Sequence, residues 1–181
     1  VALKPDYAEA LFNLGDARLE LGRLEEAKSS FIQATQVKPD FAEAYFNLGN
    51  TLRELGELEE AEVSFKQAIE FKGDFVEAYN NLGNTQRELG EFESSELSYK
   101  QAIAMQPENA RYHSNLGLTF EDSDRLHEAE ASFARALALK SDYFEVHNYL
   151  GRVLKKLGRV SEAKRSYTRA IALNSKYVEA H

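Results

Sequence analysis

Asp16–Ala27 reads DARLELGRLEEA, Asn50–Ala61 reads NTLRELGELEEA and Asn84–Ser95 reads NTQRELGEFESS, the step from Asp16 to Asn50 being the same as that from Asn50 to Asn84. A fixed step of this length is the mark of a repeat architecture. Asn-Leu-Gly triplets keep the same interval at Asn13, Asn47, Asn81 and Asn115, and Tyr149-Leu150-Gly151 makes the fifth. Five units follow, at 7–40, 41–74, 75–108, 109–142 and 143–176. Residues 1–6 match the close of a preceding unit and 177–181 the opening of a following one. The expectation is a stretch cut from a longer array, with end-to-end self-association through its uncapped repeats as a corollary, because a terminal repeat without a polar cap exposes an apolar face.

Within each unit, apolar residues at helical spacing run for about 14 residues, stop at Gly22, Gly56, Gly90 or Gly158, and resume. A residue without Cβ closes a helix cheaply in the left-handed conformation, so each unit reads as two antiparallel helices joined by a tight turn. In the fourth unit Ser123-Asp124 stand where the others have Leu-Gly, and that turn is expected to be the softest. With position 1 of the repeats set at Ala8, Ala42, Val76, Ala110 and Phe144, position 8 is always glycine. Positions 20 and 27 are small, and position 24 is Phe31, Phe65, Tyr99, Phe133 or Tyr167. The small residues let the paired helices approach closely, and the aromatic fills the space between. One pair cannot bury both its apolar faces alone, so the pairs must stack.

Composition narrows the function. The 181 residues carry 43% hydrophobic side chains, too apolar for a disordered chain. A net charge of -8 argues against a general electrostatic grip on nucleic acid or anionic lipid. No apolar run is long enough to span a membrane and no leader opens the chain. Without cysteine there is no disulfide or thiolate chemistry. A cytoplasmic setting is expected on those grounds. No motif for a cofactor or for catalysis is present, so no cofactor and no enzymatic activity are expected of these residues. His113, His147 and His181 share position 4, but helices pack about 8–10 Å apart, whereas zinc holds its nitrogens near about 2 Å. They read as packing or edge residues, not metal ligands. Glu57, Glu59, Glu60 and Glu62 read as a solvated helix face.

The Leu-Gly pairs at positions 7 and 8, the small residue at 20, the aromatic at 24 and the alanine at 27 resemble the signature of the tetratricopeptide repeats over essentially the whole chain. Position 4 departs from it, as does position 32, where proline survives only as Pro39 and Pro107. The resemblance implies an all-α, right-handed superhelical solenoid whose concave groove is lined by the first helix of each unit, at positions 2, 5, 6, 9, 12 and 13. Position 6 then places Asn13, Asn47, Asn81 and Asn115 in the groove, and position 9 adds Asn50 and Asn84. An amide offers donor and acceptor together and can match the backbone of an extended peptide without reading its sequence. The same asparagines can also be read as bonds between neighbouring helices.

In that groove Phe12 and Phe46 at position 5 supply aromatic surface, either as a pocket for an apolar side chain or as packing. Arg152, Lys155, Lys156 and Arg159 form a basic stripe at i, i+3, i+4 and i+7. It either neutralises Glu121 and Asp122 or receives an acidic ligand segment. The asparagine-lined repeats are similar to those of O-linked N-acetylglucosamine transferases, in the repeat region only. The chaperone-tail clamp of other relatives is unmatched, since Phe12, Phe46, Asn80, Ser114 and Asn148 fill a position where it needs lysine. The resemblance implies a module that binds an extended peptide or protein partner, with a recognition arm of a larger enzyme such as a glycosyltransferase, or a structural scaffold, as alternatives.

Overall fold

The computed structural model describes the backbone of residues 5–178 and the side chains of residues 6–174. The described residues form ten α-helices and no strand: α1 (Pro5–Glu20), α2 (Leu24–Val37), α3 (Ala42–Leu55), α4 (Leu58–Phe71), α5 (Val76–Glu88), α6 (Phe92–Met105), α7 (Ala110–Asp122), α8 (Leu126–Leu139), α9 (Phe144–Lys156) and α10 (Val160–Val178). The fold is all-α. By its contacts the chain divides into two compact units, Val1–Glu91 with α1 to α5 and Phe92–His181 with α6 to α10.

In the first unit α1 pairs with α2 and α3 with α4, while α2 packs on α3 and α4 on α5. The closure of α3 shows how a pair is made. Gly56 takes φ 81°, its N–H reaches the Arg53 carbonyl, and the next N–H, of Glu57, returns to Leu52 at 2.9 Å. This doubly bonded end satisfies carbonyls a helix terminus would otherwise leave bare, and turns the chain back on itself. Phe65 on α4 then lies fully buried against α3. A Cβ added to Gly49 would meet its ring at 2.8 Å, so position 8 has to be glycine for the two helices to lie this close. Ala27, Phe31, Leu48, Leu52, Ala61, Phe65 and Leu82 make one continuous core.

In the second unit α7 pairs with α8 and α9 with α10, with α6 on α7 and α8 on α9. The core gathers Tyr99, Leu116, Phe120, Ala129, Phe133, Ala136, Val146 and Val153. The α7–α8 turn keeps the left-handed residue without glycine: Asp124 has φ 59°, and the N–H of Arg125 bonds to the Phe120 carbonyl at 2.8 Å. A side chain is held where a Cβ is disfavoured. Asp124→Gly is expected to raise stability by about 0.5–1 kcal/mol, a few degrees in the thermal midpoint followed by circular dichroism. An unchanged or lower midpoint would show the turn to be unstrained.

Both helical ends overrun the repeat boundaries. Pro5 and Asp6, which the sequence pattern assigns to the close of a preceding unit, are the first turn of α1. Proline suits that place because its missing N–H would be unbonded there anyway and its φ is already helical. Residues 1–4 lie outside the described part. At the other end α10 passes straight through the 176 boundary to Val178. Residues 179–181, with His181, lie outside the described part.

Candidate functional site

The first helices of neighbouring pairs touch within each unit, α1 with α3, α3 with α5, and α7 with α9. Each unit therefore presents a face lined by positions 6 and 9. On the first unit the position-6 amides are tied sideways. Asn47 Nδ2 donates to Asp16 Oδ1 at 2.7 Å, and Asn81 Nδ2 donates to Asn50 Oδ1 at 2.7 Å. Asn80 in turn donates to Asn81 Oδ1 at 2.9 Å. Each rung runs from position 6 of one repeat back to position 9 of the repeat before. Asn13 is exposed and makes no side-chain hydrogen bond among the described residues. Asn47 is half-buried and uses one N–H, leaving its second N–H and its carbonyl oxygen. Asn84 and Asn115 are half-buried at the matching positions.

Asp16 is the one acid among these rungs. Partial burial raises its carboxyl above the ordinary aspartate range; the Asn47 bond opposes this, and nearby Glu20 adds to it. A carboxylate in that state favours a donor or a positive charge from outside.

Phe12 and Phe46 are half-buried and pack inward. The Phe12 ring lies 5.1 Å from Phe41 and 5.8 Å from Phe31, and the Phe46 ring 4.7 Å from Phe75 and 5.9 Å from Phe65. Their main contacts are with the core. At the same position Asn80 and Ser114 are buried, so position 5 adds little open surface in these repeats.

On the second unit the rung moves. Leu118 at position 9 cannot accept a hydrogen bond through its side chain, and Tyr149 has replaced the amide at position 6. Glu121, one helical turn further along, accepts two bonds from Arg152 at 2.6 Å each and is reached by Lys156 at 3.1 Å. Burial pushes the Glu121 carboxyl up, but Arg152 and Lys156 outweigh it, and the group sits below the ordinary glutamate range. Glu121 is 4% exposed, so position 12 is not open groove surface here. The basic stripe is divided accordingly. Arg152 and Lys156 serve Glu121, while Arg159 turns away to Glu130 at 2.7 Å and to Glu162. Lys155 is exposed and makes no ion pair among the described residues.

A second set of contacts lies outside what the motif positions predict. Position 21 of one repeat meets position 16 of the next in Lys28–Glu57 at 2.6 Å, Arg125–Glu96 at 2.5 Å and Arg159–Glu130 at 2.7 Å. All three pairs share one sequence separation, and opposite charge at that constant spacing is the signal that could have found them. Glu57 and Glu62 are accordingly not part of a freely solvated face. Glu57 holds Lys28, and Glu62 accepts from Gln86 at 2.9 Å and pairs with Lys66 at 2.8 Å, because helix stacking draws both between elements. The histidines secure loops: Nε2 of His113 lies 2.8 Å from the Pro107 carbonyl oxygen, and that of His147 lies 3.0 Å from that of Ser141. Among the described residues no three acidic or histidine side chains gather as a metal group, and no helix is long and apolar enough to cross a membrane.

These features define a helical-repeat protein built from tandem antiparallel helix pairs. Tetratricopeptide repeat profiles match residues 1–28, 12–74, 80–144 and 144–177, and the chain belongs to the tetratricopeptide repeat family. No curated protein sequence matches it. Among solved structures it is similar in fold to MamA (residues 41 to the end) from Desulfovibrio magneticus RS-1, with a TM-score of 0.89 and 19% identity over 94% of this chain and 97% of that one. Pseudomonas aeruginosa PilF has a TM-score of 0.79 and 22% identity over 92% and 76% of the two chains. YrrB, described as a tetratricopeptide repeat protein with an unusual peptide-binding site, has a TM-score of 0.77 and 17% identity over 93% and 87%.

Proposed function

We propose that the chain is a protein-interaction module that holds an extended polypeptide segment along the faces lined by its first helices. The observation that carries this reading is the repeated amide whose valence is incompletely used: Asn13 makes no side-chain bond among the described residues, and Asn47 spends one donor and keeps the rest. Such groups pair with N–H and C=O of an extended chain whatever its side chains. The similarity in fold to YrrB, with its peptide-binding site, supports the same reading. The acids Glu20 and Glu54, exposed on the first unit at position 13, favour a segment with basic residues there.

Asn13 gives the cleanest test, because no side-chain bond within the described protein is lost with it. On an array of random twelve-residue peptides, Asn13→Ala is expected to weaken the strongest binders by about 1 kcal/mol for each bond lost, with the unfolding midpoint unchanged. Undiminished binding would remove the amide ladder. The asparagine pattern also suits a recognition arm of a larger enzyme, such as the glycosyltransferases whose repeats it resembles. The same face would then select the substrate, and the product of the complete gene distinguishes the two readings.

A further inference from the structure

The second helices of repeats 1 and 2, α2 and α4, enclose a cleft of about 530 Å³ that shares no residue with the amide rungs. Its floor is Leu48 and Leu52 of α3, and its walls are Ile32 of α2 and Val63 of α4. Val63 is 59% exposed. In the second unit the matching place, between α6 and α8, is covered by the protein's own side chains. Phe120 stands where Leu52 is, and Arg125, in the place of Glu57, lies 4.4 Å over its ring while binding Glu96 and Glu128. Lys100, paired with Glu96 at 2.6 Å, replaces Ile32, and Ala131 replaces Val63.

The first unit has none of these covers. Lys28 is held at the rim, 2.6 Å from Glu57 and 3.8 Å from Glu25. Glu59 and Glu60 on the same rim are exposed and make no ion pair among the described residues. One ammonium and the N-terminal end of α4, worth about half a charge, do not balance four carboxylates. Such a rim repels an anionic membrane or a nucleic acid and draws lysine or arginine. The lining also selects the ligand's backbone. No amide side chain lines the cleft, and the Ser64 hydroxyl is spent on the Glu60 carbonyl at 2.9 Å. An extended strand would leave its N–H and C=O groups against apolar walls, whereas a helix satisfies them internally.

We infer that this cleft docks a basic amphipathic helix of a partner protein. Its aliphatic or aromatic side chains, one helical turn apart, insert between Ile32 and Val63, and its lysines or arginines meet Glu59 and Glu60. The site lies apart from the amide face and does not depend on it.

Selection on the full chain from a phage-displayed library of amphipathic helices, randomised on one face, tests this. Enriched sequences are expected to carry apolar residues at i and i+3 or i+4 flanked by lysine or arginine. Made as synthetic peptides, they should bind in fluorescence anisotropy. Val63→Asp should weaken them about tenfold or more with an unchanged unfolding midpoint, since the position is exposed. Glu59→Gln and Glu60→Gln should each weaken them about two- to five-fold and lessen the dependence on salt. Lys28→Glu, Leu52→Phe and Glu57→Arg together copy the cover of the second unit, and should abolish binding with the circular dichroism spectrum unchanged. Asn13→Ala should leave it unaltered, which separates the failure of this site from failure of the amide ladder. Enrichment of acidic or extended sequences overturns the proposal, as does a selection that enriches none. Binding that survives Val63→Asp overturns it equally.

Discussion

Phe133→Ala is expected to lower stability by about 3–5 kcal/mol, enough to unfold the second unit or bring it close to unfolding at room temperature. Phe133 is fully buried and packs among Tyr99, Leu116, Phe120, Val146 and Val153, so truncation opens a cavity bordered by side chains of α6, α7 and α9. Urea unfolding followed by circular dichroism reads the loss directly. The same ring leaves no room at Gly117, where an added Cβ would meet it at 2.6 Å. Gly117→Ala alone is therefore destabilising, by about 1–3 kcal/mol. Paired with Phe133→Leu, it should cost less than the sum of the two, because the methyl takes space the ring has vacated. Strict additivity would mean that the close approach of α7 and α8 does not set the identity of position 8.

The second large effect is expected at Arg152. Arg152→Ala removes two of the bonds that Glu121 accepts and leaves a buried carboxylate with Lys156 alone. Breaking a buried pair from one side typically costs about 3–5 kcal/mol. Arg152 is itself about half exposed and Lys156 remains, so a loss of about 2 kcal/mol is expected at neutral pH. The sign of the pH dependence follows from the lowered Glu121 carboxyl. Its contribution in the native protein is complete above the ordinary glutamate value of 4.5 and fades as pH falls through the lower folded-state value. In Arg152→Ala that carboxyl rises, so acid unfolding should lose this contribution. The two proteins should converge in stability at low pH. A constant difference between them at every pH would place the role of Arg152 in packing over Tyr149, whose ring centroid lies 5.3 Å from its guanidinium carbon.

The fold was legible because its determinants recur. A glycine that must be small at position 8, an aromatic that must fill at 24 and a left-handed closure each appear once in every repeat, so one misread residue is corrected by four others. Asp124 shows the strength of that redundancy: the turn keeps its conformation where its usual residue is absent. The site was less legible because polar side chains answer to partners on the neighbouring repeat, which no single helix displays. Asn47 and Asn81 could be read either as peptide ligands or as bonds between neighbouring helices, and each spends one amide N–H on the second. Glu121 was legible as a partner of the basic stripe, and Arg152 and Lys156 do hold it, but its burial was not, because that depends on the helix of the next repeat packed over it. Phe12 and Phe46 stood between pocket and packing until Phe41 and Phe75 were seen resting on them.

The edge pairs of Lys28 with Glu57, Glu96 with Arg125 and Glu130 with Arg159 bear on how such a gene can change its length. Deletion of a whole repeat keeps the 34-residue register, and the sign at each edge is part of what the rejoined protein must tolerate. Deletion of repeat 2 brings Lys28 opposite Glu91, deletion of repeat 3 brings Glu62 opposite Arg125, and deletion of repeat 4 brings Glu96 opposite Arg159. Each of these single losses rejoins opposite charges. Loss of repeats 2 and 3 together sets Lys28 against Arg125, a like-charge edge of the kind the intact chain already carries between Glu62 and Glu91.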